Sequence, residues 1–573
     1  MTLLSFAREE RAPFPAKHFF LLLCFGVLMV SVWMLPLLVA GQGYEFPSLL
    51  LARNYAETGL FSVTDRIGRL LAPSELLLQG APSALDGRLS AILFAFFHQW
   101  IPWENLLGWS ILAAAIFALS LIPWWLTVER LFDARTAWVS TVLLSFMPVY
   151  FRQATFLEEY SFAFLFLFTS FALYVYLAPR ASWLALVAAG VAYGLSVSAK
   201  DVFLIFLPFF LGAYLWLERE EWRRAVLCAV LFLACVGVVY LLPYIGDMQR
   251  YGYPVNQNLA RMWPGRQEIQ NEIYLHLYPD PYTYYFDRER FEADYLERVK
   301  KLPLLERLGE QKVILNFGLG EPSILRFLGN GLWMFVNSIP SFFHQSTVGG
   351  FILWLFIIPG VFVLWREERP LFGLALGLIL TTYLIIRFVL QYEREHLMDV
   401  AWILAPIAAV GVTTLSQALA TKFPRFTSST VSLFLLSVVS LHLLQMNRLE
   451  FARRYRDPPI ARVLAAASSI KNTPAGAVIA VAPHLWSNAA VSYLTGRTIA
   501  FFREETLDRL VAEKKLDEAF DRYGVTHIIG YGSDATQKMK KALPKLQVLE
   551  VPSQESLRRP LTPLQKYLLH LVR

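Results

Sequence analysis

Long apolar runs recur along nearly the whole chain, and they constrain its fold more than any other feature. The run Phe19–Ala40 has 22 residues. At ~1.5 Å per residue it can cross ~30 Å of hydrocarbon. Further runs lie at 106–128, 136–150, 161–177, 183–199, 201–217, 225–245, 349–365, 371–390, 397–416 and 427–445. Inside a bilayer the backbone must satisfy its own hydrogen bonds, so each run predicts a helix. The fold class is therefore an α-helical polytopic membrane protein of about eleven spans, with room for thirteen. Leu89–Ile101 is apolar but shorter and reads as an interfacial or re-entrant helix.

Composition agrees. Of 573 residues, 56% are hydrophobic and 17% charged, against ~45–50% and ~25% in soluble domains. Several soluble domains in series, a disordered chain, collagen, a coiled coil and a nucleic-acid-binding protein are excluded. Phe19–Ala40 is too long for a signal-peptide core and lacks a small-residue cleavage site behind it, so it reads as a retained first span. Cys24, Cys228 and Cys235 each lie in an apolar run without a partner at metal-ligand spacing. They read as buried free thiols.

Lys and Arg in the short loops set the orientation. With the N-terminus in the cytoplasm, the cytoplasmic connections hold Arg130, Arg135, Arg180, Arg219, Arg223, Arg224, Arg366, Arg369, Lys422 and Arg425. The opposite short loops hold only Arg152, Lys200 and Arg394. The expected location is the plasma (inner) membrane, multi-pass. Residues 1–446 form the membrane module, with long outer segments over 41–88 and 246–348. Residues 447–573 form a small extracytoplasmic α/β domain. In that tail Ala477–Ala482, Val525–Gly530 and Leu546–Val551 read as strands. Leu507–Tyr523 reads as a helix ending at Gly524.

Candidate chemistry gathers at the outer ends of spans. Glu45 follows the first span, and the pair Glu158–Glu159 precedes the fourth. An acid at the membrane boundary is costly to desolvate, and a pair of acids can divide acid–base work. They also fit an ordinary interfacial role. Lys200, beside Asp201, and Arg394 with His396 stand at the same level and suit a lipid phosphate. Lys200 could equally pair with Asp201 or snorkel. The 246–348 segment carries Tyr282, Tyr284 and Asp287 within a cluster of tyrosines and aspartates. Such rings suit stacking on sugars or the headgroup level of the bilayer.

An ordered set of stretches then resembles a known superfamily. Glu45 with Leu51-Ala52-Arg53-Asn54 and Glu57-Thr58-Gly59 is similar to a first outer loop, and Pro148 to Glu159 to a second. Gly190 to Lys200 is similar to a Gly-Leu…Lys span, and Tyr251-Gly252-Tyr253-Pro254 to the start of a large loop. Tyr493-Leu494-Thr495-Gly496-Arg497 and Tyr523 to Ile529 are similar to its C-terminal domain. Together they resemble the GT-C glycosyltransferases, in particular the bacterial protein O-mannosyltransferase-like and aminoarabinose transferase-like enzymes.

The resemblance implies an inverting enzyme. It would move a sugar from a polyprenyl-phosphate donor to a hydroxyl of a protein, lipid or glycan at the outer face. Glu45, Glu159 and Glu158 would be its catalytic acids. Lys200, Arg394, His396 and Arg53 would hold the donor phosphate, and Tyr282, Tyr284 and Asp287 would line the substrate loop. No metal ligand set and no cofactor is called for, although some relatives use a divalent cation. Membrane lipids are expected partners and nucleic acid is not.

Two features depart from the family. Tyr44 stands where the first loop usually has Asp, leaving Glu45 as the acid there. Gln79-Gly80-Ala81-Pro82 replaces the Lys-Pro-Pro of aminoarabinose transferases. A transporter or flippase, or a non-catalytic scaffold for lipid-linked sugars, is the alternative. No internal repeat supports a transporter. The expected geometry brings Glu45 and Glu159 together in an outward-open cavity, with Lys200 or Arg394 near the phosphate.

Overall fold

The computed structural model describes residues 16–40, 47–59, 87–155, 159–177, 182–217, 221–251, 297, 300–301, 328–329, 331–332, 335–336, 339, 350–385, 401–456, 459–482, 490–502 and 504–551. The chain forms two compact units. One comprises residues 1–37, 109–243 and 323–453, and the other residues 38–108, 244–322 and 454–573.

The first unit is helical. Helices stand in each of the eleven apolar runs, including Ala16–Ala40, Leu106–Leu131, Tyr160–Leu177, Ser182–Ala199, Trp222–Leu241, Phe351–Glu367, Leu404–Lys422 and Ser428–Arg456. Among the described residues, five helices are long and apolar enough to cross a membrane. Local chemistry sets several ends. Asp133 opens Ala134–Phe146 by accepting from the amides of Arg135 (2.8 Å) and Thr136 (2.9 Å). Pro148 follows the end of that helix and starts a separate one, Pro148–Thr155.

The run 201–217 is not one continuous α-helix. Asp201–Phe206 is a 3-10 helix, and only Leu207–Leu217 is α-helical. At ~1.5 Å per residue those 11 residues extend about 16 Å, half of a bilayer core.

Aromatic rings fill this unit's core. Trp402 meets Trp124, Phe168, Phe171 and Phe206 at ring-centroid distances of 5.5, 5.5, 5.6 and 5.8 Å. Offset and edge-to-face contacts of this kind suit the ring quadrupoles. Large apolar side chains such as Phe20, Leu227, Phe351 and Phe434 face outward, as hydrocarbon-facing positions require.

Glycines set the closest helix contact. A Cβ added at Gly360 would strike the Ile407 carbonyl, and one added at Gly411 would strike the Phe356 carbonyl. Phe351–Glu367 and Leu404–Lys422 therefore cross backbone against backbone, as small residues allow.

The second unit holds a four-stranded parallel sheet. Its strands are β1 (Val478–Val481), β2 (Thr498–Phe501), β3 (Val525–Ile529) and β4 (Gln547–Leu549), in the order β2-β1-β3-β4. Three of them lie inside the ranges expected from the sequence; β2 does not appear in that reading. The expected helix over 507–523 is two pieces, Glu504–Ala512 and Leu516–Tyr523, parted at Lys514, whose φ is +56°. Gly524, with φ +67°, ends the second piece in the left-handed conformation that glycine takes most readily.

The strand order changes direction between β1 and β3, the crevice where such sheets commonly bind ligands. Here the Tyr531 hydroxyl donates to the carbonyls of Val481 (3.0 Å) and Phe502 (3.1 Å) at that end.

Candidate functional site

Glu159 immediately precedes the helix Tyr160–Leu177, and its carbonyl accepts from the Ala163 amide at 3.1 Å. Its carboxylate thus lies at a helix N-terminus, where the helix dipole favours negative charge. The residue is only 7% exposed. Lys200 ends a different element. The helix Ser182–Ala199 stops one residue before it, and the 3-10 helix Asp201–Phe206 starts one residue after. Lys200 itself is extended, with φ −151° and ψ 107°.

These two ends meet. Lys200 Nζ lies 3.2 Å from Glu159 Oε2, with side-chain exposures of 16% and 9%. The ammonium also sits 4.9 Å from the Tyr160 ring centroid, a cation–π contact that adds to its retention. The pair is held by its frame. Ser196 Oγ donates to the Ala163 carbonyl (2.8 Å), tying the two helices close to the pair. Tyr193 donates to the Phe203 carbonyl across the helix break (2.5 Å).

Asp201 is 2% exposed. Its Oδ2 accepts from the Tyr240 hydroxyl at 3.0 Å. An α-to-3-10 transition with one extended residue between turns adjacent side chains apart. Asp201 therefore meets Trp222–Leu241, and Lys200 meets Glu159.

Arg53 lies on the helix Pro47–Thr58 in the second unit. Its Nε pairs with Glu57 at 2.8 Å, and its Nη1 donates to the Tyr493 carbonyl at 2.9 Å. The Tyr493 hydroxyl donates to the Trp103 carbonyl at 2.6 Å. Burial raises the Tyr493 phenol well above its usual range, opposed by the charge of Arg53. The Tyr493–Arg497 stretch singled out in the sequence thus joins three segments of this unit.

Glu45, Glu158, Arg394, His396, Tyr282, Tyr284 and Asp287 lie outside the described residues. So does the expected approach of Glu45 to Glu159. Among the described residues, no group of three or more His, Cys, Asp or Glu side chains could hold a metal ion. Sequence reasoning placed Glu159 and Lys200 in separate roles, named Asp201 only as an alternative partner of Lys200, and missed Tyr160 and Tyr240. The only signal for Tyr160 was its place beside Glu159, and Tyr240 sits in an apolar run with none.

No family model matches the sequence, and no curated protein matches it. Solved structures do. The archaeal oligosaccharyltransferase AglB from Archaeoglobus fulgidus, in complex with an inhibitory peptide and a dolichol-phosphate, aligns over 89% of this chain and 69% of its own. The TM-score is 0.52 and the identity 12%. The same oligosaccharyltransferase with Zn and sulfate gives 0.53 and 13%, over 88% and 67%. The chain shares the fold of this oligosaccharyltransferase. At this identity the likeness is one of fold. ArnT from Cupriavidus metallidurans, bound to undecaprenyl phosphate, also aligns, over 96% of this chain and 92% of its own, with a TM-score of 0.48 and 13% identity.

Proposed function

We propose that this chain is an inverting glycosyltransferase, moving a sugar from a polyprenyl-phosphate donor to a hydroxyl acceptor at the outer face of the plasma membrane. The observation that carries the reading is the buried Glu159–Lys200 pair at the ends of two helices. The fold shared with AglB supports it, since the AglB structure holds a dolichol-phosphate.

The reaction is a single displacement. A carboxylate, assigned to Glu45 from the family pattern, takes the proton of the acceptor hydroxyl. The acceptor oxygen attacks the anomeric carbon, and the bond from that carbon to the phosphate oxygen breaks on the opposite face. Configuration inverts, and polyprenyl phosphate leaves with the bonding electrons. Charge grows on the phosphate as it leaves, so a fixed cation there stabilises the transition state more than the ground state.

Lys200 is our candidate for that cation. Glu159 holds its ammonium in place before the donor arrives. Arg394, His396 and Arg53 complete the proposed basic set, and Tyr282, Tyr284 and Asp287 are assigned to the sugar and acceptor. The donor brings its own activated bond, so the scheme draws on no cofactor. A divalent cation, if used, would act on the phosphate charge. The acceptor class is a protein, lipid or glycan.

The test is release of undecaprenyl phosphate from labelled undecaprenyl-phosphate sugars by purified protein in nanodiscs, with an envelope extract as acceptor. Acceptor-dependent release in the wild type should fall by roughly 100-fold or more in Glu45→Gln and Lys200→Ala. Release that is unchanged in both variants would overturn the site assignment. Absence of release from every donor, with binding retained, would favour transport or scaffolding.

A further inference from the structure

The proposed reaction uses Lys200 and Glu159 but leaves unexplained how tightly the break beside Lys200 is held. Three contacts converge on it from the helix Trp222–Leu241. The Tyr240 hydroxyl donates to Asp201 Oδ2 at 3.0 Å. Ser198 Oγ donates to the Val239 carbonyl at 3.0 Å. Gly194 faces Val239 so closely that a Cβ there would lie 2.8 Å from the valine Cβ. Asp201 and Tyr240 are 2% and 5% exposed.

A buried carboxylate one residue from a functional ammonium is a competitor for it. Attraction between such charges is strong where water is scarce. In this fold Asp201 Oδ2 accepts from Tyr240, while the Lys200 ammonium is held at Glu159. We infer that Tyr240 and Asp201 are positioning residues for Lys200. Their hydrogen bond fixes the turn from which Lys200 reaches Glu159 and, on donor binding, the lipid phosphate. The inference rests on the reading of Lys200 as the donor-phosphate cation.

Without the Tyr240 hydroxyl, Asp201 loses that donor, and its charge is drawn toward the Lys200 ammonium. The cation then shifts from its productive direction, although the aromatic ring at 240 still packs. Binding of the phosphate should weaken, and the fold should persist.

The experiment titrates the full-length protein in nanodiscs with undecaprenyl phosphate, following tryptophan fluorescence. It compares wild type, Tyr240→Phe, Lys200→Ala and the double variant, with melting temperatures measured alongside. Tyr240→Phe should bind about tenfold more weakly and melt close to wild type. In the Lys200→Ala background it should add nothing, as expected for residues acting through one another. Ser198→Ala, which removes the neighbouring bond, should act in the same direction and serves if Tyr240→Phe does not fold.

Wild-type affinity in both Tyr240→Phe and Ser198→Ala would overturn the inference. So would a tenfold loss that persists in the Lys200→Ala background, because that loss would be structural only. Wild-type affinity in Lys200→Ala would instead overturn the underlying assignment of Lys200.

Discussion

Glu159 and Lys200 stand 41 positions apart, and in the sequence each has a nearer charged neighbour, Glu158 and Asp201. Their residue types were legible, but their pairing was not. The pairing depends on the backbone leaving the α-helix at Lys200, and no periodicity announces a break inside an apolar run. For the same reason the sequence allowed Lys200 to pair with Asp201, which meets Tyr240. The pair also carries a stability expectation. Removing one partner strands a buried charge, which typically costs about 3–5 kcal/mol, whereas replacing both costs far less. Glu159→Gln should therefore lower unfolding stability in detergent by about 3 kcal/mol, and adding Lys200→Met should recover most of it. A loss below about 0.5 kcal/mol for the single variant would show that the pair is open to water and screened.

At the scale of elements, helices were read from hydropathy because lipid makes apolar length almost sufficient for a helix. Which face meets which helix was not legible. Gly360 and Gly411 look like ordinary glycines in apolar runs, yet each occupies the closest point of a crossing. Gly360→Ala should cost about 1–3 kcal/mol, since the added methyl meets a backbone carbonyl that cannot rotate away. Gly373→Ala, where nothing lies within 4 Å of an added Cβ, should be near neutral or stabilising by comparison. Thermal unfolding of the two variants side by side reads the difference.

The sheet carries a further expectation. β2, Thr498–Phe501, escaped the sequence reading; it begins just after Gly496 and Arg497. In β3, His527 is buried, with its Nδ1 2.7 Å from Thr526 Oγ1. Burial lowers its pKa from 6.5, opposed by a hydrogen bond with Gln547. The unfolded chain then binds a proton that the folded sheet resists. The stabilising contribution is full above about pH 6.5 and is lost as pH falls from there through the folded value. His527→Gln should flatten the fall in melting temperature between pH 7 and 5. An equally steep fall in the variant would assign the acid sensitivity to other groups.

At the scale of the whole molecule, the legible quantity was charge asymmetry between short loops, and it fixes an expected orientation. Arg425 lies exposed between Leu404–Lys422 and Ser428–Arg456, on the side assigned to the cytoplasm. Gln537 is exposed on the helix Ser533–Ala542 beside the sheet, in the segment assigned to the outside. Cys24 is exposed and Cys228 and Cys235 are half-buried, not buried as the apolar runs suggest; all three are free thiols and can be replaced first. In that background, Gln537→Cys should react with a membrane-impermeant maleimide on intact spheroplasts. Arg425→Cys should react only after the membrane is opened. The reverse pattern would invert the topology and place the sheet in the cytoplasm. It would also move the expected donor from the outer leaflet to the inner one, because Lys200 was assigned to the same side as the sheet. The two labelling sites therefore test the proposed chemistry as well as the orientation: an outer-face transferase needs Gln537→Cys to react first.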